Sequence, residues 1–262
     1  MNRKYFFFDY DGTLAVPRTT TIPQSTRDAV AQLREAGHFV ALATGRMQCN
    51  VADFVENTKI SNIVADGGWS VTLDGELKWI EPLELEPVKD CLRKLDAAGI
   101  PWAVTVENEM LRYAPDQRFV DVAQDYYVPT QVDPELTIDG LTRVHKVYIP
   151  SKQGPEQQAL IESGMLDGVT WAYYDSDNIF VEPTDKARGI RKTMELIGAA
   201  DSLADVVVFG DGKNDLGMFL PEWTSIAMGN AIPELKERAT YVTTDCDDDG
   251  IANACRHFGW IK

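Results

Sequence analysis

The chain is poor in positive charge, in cysteine and in long apolar runs, and each shortage excludes something. Lys and Arg number 25 against 41 Asp and Glu, a formal net charge of −16 over 262 residues. A sequence-independent grip on DNA or RNA needs a cationic surface to displace counterions, so nucleic acid is not an expected partner. A small anionic ligand stays open, because a site can be locally positive inside an acidic protein. The four cysteines, Cys49, Cys91, Cys246 and Cys255, form no C-x-x-C pair and fit no zinc spacing. They read as unpaired thiols in a reducing compartment. The apolar run near the start, Tyr5-Phe6-Phe7-Phe8, stops at Asp9, too short for a signal-peptide core. No stretch reaches the roughly 18 apolar residues of a membrane span. The expectation is a soluble cytoplasmic protein without a membrane or nucleic-acid partner, a monomer or weak homo-oligomer. With 44% hydrophobic and 25% charged residues, the composition is that of a globular chain.

The pattern along the chain is mixed α/β. Tyr5–Phe8, Phe39–Ala43, Ile63–Ala65 and Val206–Phe209 are short continuous apolar runs, which suit strands buried on both faces of a parallel sheet. Helices are expected from a Ser25 or Thr26 cap to Ala36 and from Met47 to Val55. Together these segments read β-α-β-α-β, a doubly wound sheet. Between about Pro82 and Pro183 the character changes. Strand-like segments at 102–106, 144–149, 170–174 and 179–182 mix with helix candidates at 86–98, 116–126 and 155–165. The simple rhythm then returns, with helices near 187–197, from Asn214, at 233–238 and at 250–258, and strands at 225–228 and 241–242. The expected architecture is an α/β Rossmann-like core, 1–81 and 184–262, with a large α+β cap inserted at 82–183.

Chemistry-bearing residues gather where apolar runs end. Asp9-Tyr10-Asp11-Gly12-Thr13 follows the first run. In extended chain, residues two apart point the same way, so Asp9 and Asp11 can face one site. Adjacent carboxylates repel unless a cation relieves them. Alone, the segment reads equally as a turn or helix cap. Gly210-Asp211-Gly212-Lys213-Asn214-Asp215 repeats the logic after the run at 206–209. Asp211 and Asp215 share a face if a helix begins between them. A hard cation such as Mg²⁺ takes oxygen ligands of this kind. Thr44-Gly45-Arg46 precedes a helix, where a hydroxyl and backbone N–H groups can cradle an anion, though an ordinary cap explains the triplet too. Lys186 alone would be a surface lysine. The acidic cluster Asp245, Asp247, Asp248, Asp249 lacks the EF-hand spacing and suits a helix N-terminus better than a cation site.

Taken in order, D-Y-D-G-T, T-G-R, Lys186 and G-D-G-K-N-D resemble the haloacid dehalogenase-like phosphatase superfamily, in particular its Cof-type branch. The resemblance spans essentially the whole chain. It implies Asp9 as nucleophile and Asp11 as general acid/base. Mg²⁺ would be held by Asp9, by the Asp11 carbonyl and by Asp211, with Asp215 behind them. Thr44, Gly45, Lys186 and Asn214 would bind the phosphoryl group. The implied substrate is a small phosphorylated metabolite, a sugar phosphate or phosphorylated cofactor, hydrolysed through an aspartyl-phosphate. A phosphomutase or phosphotransferase of the same superfamily, or a non-hydrolytic phosphometabolite-binding regulator, are the alternatives. Two residues depart from the family pattern: Asp66 stands where Asn is usual, and Ala187 follows Lys186 in place of Gly.

Overall fold

The computed structural model describes residues 2–123, 128–173 and 177–262. In chain order the first elements are β1 (Tyr5–Phe8), α1 (Gln24–Glu35), β2 (Phe39–Ala43), α2 (Ala52–Thr58), β3 (Ile63–Ala65), β4 (Ser70–Leu73) and β5 (Glu76–Ile80). Next come α3 (Leu85–Ala97), β6 (Ala103–Thr105), β7 (Arg112–Ala114), α4 (Gln117–Val122), β8 (Thr130–Val132), β9 (Lys146–Pro150), α5 (Pro155–Glu162), β10 (Trp171–Tyr173) and β11 (Asn178–Val181). The chain closes with α6 (Lys186–Leu196), β12 (Val206–Gly210), β13 (Thr224–Ala227), α7 (Pro233–Arg238), β14 (Tyr241–Val242) and α8 (Gly250–His257). Two compact units result. One comprises Met1–Met47, Val51–Ile80 and Asp185–Lys262, the other Gln48–Asn50 and Glu81–Thr184.

The first unit is a doubly wound sheet in the order β14-β13-β12-β1-β2-β3-β4-β5. From β14 to β3 every pairing is parallel. The alternation of β1 explains why the sheet needs cover on both sides. Phe6 and Phe8 enter one core with Ala29, Val30 and Leu33 of α1 and Ile251, Ala254 and Cys255 of α8. Tyr5 and Phe7 enter the other with Ile190 and Met194 of α6 and Leu235 of α7. A strand with four consecutive buried apolar residues is stable only in such a sandwich. The second unit has its own six-stranded sheet, β10-β11-β9-β6-β7-β8. Val147 and Ile149 of β9 pack with Val88, Leu92 and Leu95 of α3. Tyr148, from the opposite face of β9, packs with Phe119 of α4.

Several local expectations are corrected. Neither Ser25 nor Thr26 caps α1. Pro23 occupies the capping position, and both hydroxyls fall inside the first turn, buried without a partner among the described residues. Instead of a helix from Met47 to Val55 there is a 3₁₀ turn at Gln48–Asn50. Val51, with φ −110° and ψ 3°, then breaks the chain before α2 starts at Ala52. The segment from Asn214 is a 3₁₀ helix, Lys213–Met218. The hairpin β4–β5 was not anticipated, although Asp74-Gly75 at φ +51° and +81° is a left-handed two-residue turn of the kind hairpins favour. β7 and β8 were not anticipated either. Each has three residues, too few to show a period. Of the helix expected at 116–126, residues 124–126 lie outside the described residues, as does Tyr174 of the strand expected at 170–174.

Among the described residues no cysteine is in a disulfide, and no helix is long and apolar enough to cross a membrane. Burial raises the Cys91 thiol to about 11 and the Cys255 thiol to about 12, which keeps both protonated and unreactive.

Candidate active site

Parallel strands deliver their carboxyl ends to one edge of a sheet, where open α/β folds carry their sites. Asp9 follows β1, Thr44 follows β2, Asp66 follows β3 and Asp211 follows β12. The Asp9 N–H still donates to Phe209 of β12 at 3.0 Å, which fixes Asp9 beside the end of that strand. The chain then turns: the Tyr10 carbonyl accepts from Leu14 and Ala15, and the Gly12 N–H donates to Ala15. Gly12 sits at φ +88°, and a Cβ there would lie 2.2 Å from a carboxylate oxygen of Asp211. Only glycine permits that approach. Thr13 completes the join, its hydroxyl donating to Asp211 Oδ1 at 2.8 Å.

The centre is a buried cation between two carboxylates. Lys186 is 1% exposed. Its Nζ donates to Asp9 Oδ1 at 2.6 Å and to Asp215 Oδ1 at 2.5 Å. Asp215 Oδ2 accepts the N–H groups of Asp211 and Gly212, each at 2.9 Å. Both Asp215 oxygens are therefore committed, whereas Asp9 Oδ2 has no hydrogen-bond partner among the described residues. Asp9, Asp211 and Asp215 each offer a carboxylate oxygen within 4.8 Å of the others. One ammonium does not balance three carboxylates. Burial, then the charge of Asp215, hold the Asp9 carboxyl well above its ordinary range. The same two causes lift Asp211 to about 7. For Lys186, burial works against the charge, but Asp215 and Asp9 outweigh it and hold the ammonium protonated.

Of the residues singled out from sequence, Asp9, Lys186, Asp211 and Asp215 come together. Asp11 does not join them. The strand ends at Phe8, so the two-residue alternation no longer applies, and the exposed Asp11 carboxylate pairs with Arg46 Nη2 at 3.3 Å. Arg46 in turn lies over the Phe54 ring. Thr44 and Gly45 form a turn in which the Thr44 hydroxyl accepts the Arg46 N–H at 3.2 Å. The half-buried Asn214 lies on the 3₁₀ helix Lys213–Met218. No hydrogen bond links Thr44, Gly45 or Asn214 to the acidic group among the described residues.

Sequence reasoning missed three supporting residues. Thr13 holds Asp211. Asn230 donates to the Gly12 carbonyl at 2.8 Å and accepts the Cys246 N–H at 2.9 Å, tying the Asp9 loop to the segment after β14. Arg46 pairs with Asp11. Thr13 and Arg46 sit in segments noticed for another reason, and for all three only the folded backbone shows the partner. The two family departures are accommodated. Asp66 stands at φ +48°, a conformation Asp tolerates nearly as well as Asn. Its N–H donates to Arg46 O, and Gly67 N–H donates to Thr44 O, so the turn braces the Thr44 loop. Ala187 is buried in the core on the α6 side of the sheet.

Comparison with known proteins gives the family of the chain. A family profile for haloacid dehalogenase-like hydrolases matches residues 6–255. The chain is 32% identical to YkrA of Bacillus subtilis, over 100% of both chains. It is 25% identical to the pyridoxal phosphate phosphatase YbhA of Escherichia coli, over 96% of this chain and 97% of that one. Among solved structures, a protein from Geobacillus kaustophilus superposes with a TM-score of 0.80 at 28% identity, covering 99% of this chain and 100% of the other. The subclass IIB sugar phosphatase BT4131 superposes with a TM-score of 0.75 at 25% identity, covering 98% and 100%. The chain is therefore a member of the haloacid dehalogenase-like hydrolase family, in its Cof-type phosphatase branch.

Proposed function

We propose that the protein is a Mg²⁺-dependent phosphatase of small phosphomonoesters, with Asp9 as the nucleophile. The observation that carries this reading is the asymmetry of Asp9. One oxygen is held by Lys186, and the other has no hydrogen-bond partner among the described residues. A nucleophilic carboxylate needs this arrangement, fixed at one oxygen and open at the other.

The donor set fits a hard divalent cation. Three carboxylates against one ammonium leave uncompensated charge, expressed in the raised Asp9 and Asp211 carboxyls. Asp9, Asp211 and the Asp11 carbonyl would hold the ion, with Asp215 fixing Asp211 and Lys186 from behind. Bound there, Mg²⁺ supplies charge neutralisation that lets an anionic nucleophile approach a phosphate dianion.

In the proposed reaction the open Asp9 oxygen attacks phosphorus as the ester P–O bond breaks. Asp11 gives its proton to the leaving alkoxide, then takes one from a water that attacks the aspartyl-phosphate and releases Asp9. Lys186 and the Thr44–Gly45 turn stabilise the phosphoryl oxygens as charge builds, and Asn214 contributes a neutral donor. Arg46, paired with Asp11, orients the acid. The inserted unit is proposed as the cap that supplies selectivity, since the core residues assigned here address only phosphate and metal. Relatives named for pyridoxal phosphate and for HMP-PP, and a structural neighbour named for sugar phosphates, support a small phosphorylated metabolite as substrate.

The test is phosphate release across a panel of phosphorylated metabolites, with and without Mg²⁺. Metal-dependent turnover is expected on one chemical class, with Asp9→Asn reducing it about 10³-fold or more. Isomerised sugar phosphate without free phosphate would point to the mutase instead. Saturable binding without any turnover would point to the regulator.

A further inference from the structure

A cavity of about 410 Å³ lies at the opposite end of the core strands. Its lining includes Arg3, which precedes β1; Arg34 and His38, which precede β2; Ser61 and Asn62, which precede β3; and Asp74 in the β4–β5 turn. The candidate catalytic residues follow the same parallel strands. At about 3.3 Å per residue, the five residues of β2 alone put about 16 Å between the two ends. This cavity is thus separate from the acidic site.

Its charge runs against that of the molecule. The lining holds two arginines and one aspartate, in a chain of net charge −16. Arg34 Nη1 donates to the Lys59 carbonyl at 2.9 Å, and the Arg3 guanidinium lies 5.5 Å from the Tyr5 ring centroid. Neither guanidinium has a carboxylate within 4.0 Å among the described residues. His38 stands beside them on the lining. It is 6% exposed, and its Nδ1 accepts the Lys4 N–H at 3.0 Å. A neutral ring accepting at Nδ1 carries its proton on Nε2, and Nε2 has no partner among the described residues. The wall is braced: Asn62 donates to the Val40 carbonyl and accepts the Asp74 N–H.

We propose that this cavity binds a small oxyanion, a phosphate group in particular, between Arg3 and Arg34, at a site distinct from the catalytic one. Guanidinium forks bind such groups with charge-assisted hydrogen bonds. Occupancy here ties the segment before β1 to the last turn of α1, so the site is a place where a phosphorylated metabolite can adjust the stability of the core.

The test is a titration of the full chain, with Mg²⁺ present, by inorganic phosphate, read at the imidazole signals of the three histidines, His38, His145 and His257. A saturable shift of His38 is expected, unmatched by sodium chloride of equal ionic strength. In an Arg3→Gln, Arg34→Gln double variant the apparent affinity at His38 should fall about tenfold or more, while turnover of p-nitrophenyl phosphate stays within about twofold. A His38 signal that does not move, that moves equally in the variant, or that follows ionic strength alone overturns the proposal. The readout does not depend on catalysis, so it fails or succeeds separately from the phosphatase reading.

Discussion

At the scale of single residues, the site is a problem of charge in a confined space. Asp9 and Asp211 hold their protons to higher pH than in the unfolded chain. Asp211 moves from the ordinary 3.8 to about 7, by burial first and by Asp215 second. Between those values the folded state binds more protons than the unfolded state, so the metal-free protein loses stability as pH rises through the window. A divalent cation must displace these protons to bind, and it replaces their neutralising effect. The expected outcome is a Mg²⁺-induced rise in thermal midpoint that is small at pH 5 and larger at pH 8, measured by differential scanning fluorimetry. Equal shifts at both values would mean that these carboxyls are not the ligands. Asp9 and Asp211 were legible in sequence because each follows a recognisable strand, whereas Lys186 was legible only through the family resemblance. Arg46 as the partner of Asp11 was not, because the pairing depends on where the chain turns after Phe8.

At the scale of elements, the placement of Lys186 depends on how closely α6 approaches the turn after β3. A Cβ on Gly68 would lie 1.9 Å from the Asp185 carbonyl, and one on Gly189 would lie 2.4 Å from Val64 and 2.8 Å from the Gly68 carbonyl. The two glycines let backbone pack on backbone, and α6 begins at Lys186 itself. Gly189→Ala should push the first turn of α6 outward, costing about 1–3 kcal/mol of stability. It should lower kcat more than tenfold while the circular dichroism spectrum stays unchanged. A variant with wild-type kcat would show that Lys186 is placed independently of this contact. The same scale explains what the sequence did and did not reveal. Buried parallel strands announce themselves as unbroken apolar runs such as Phe39–Ala43. In the β4–β5 hairpin, β5 opens with three consecutive exposed residues, Glu76-Leu77-Lys78, which read as surface loop. Ser25 and Thr26 looked like caps because propensity cannot tell a hydroxyl outside the first turn from one inside it.

At the scale of the whole molecule, a chain of net charge −16 handles an anionic substrate against its own field. Long-range repulsion slows encounter and is screened by salt. The kcat/KM for a phosphomonoester should therefore rise about two- to fivefold from low to moderate ionic strength, the reverse of electrostatic steering. A fall would mean that local positive groups dominate the approach. The alternation of simple α/β segments with a differently patterned stretch was visible in the sequence, because composition and proline punctuation change with it. The strand order of the second sheet was not, since pairings such as β11 with β9 and β9 with β6 join segments far apart in the chain.

The central claim is that Asp9 carries the phosphoryl group. It is tested most directly by acid-quenching the protein during turnover of p-nitrophenyl phosphate, reducing with borohydride and sequencing the peptides by mass spectrometry. An acyl phosphate is reduced to the alcohol, so the account predicts homoserine at position 9, absent without Mg²⁺ and absent in Asp9→Asn. Phosphate release with Asp9 unmodified, or with the modification on another carboxylate, would contradict it.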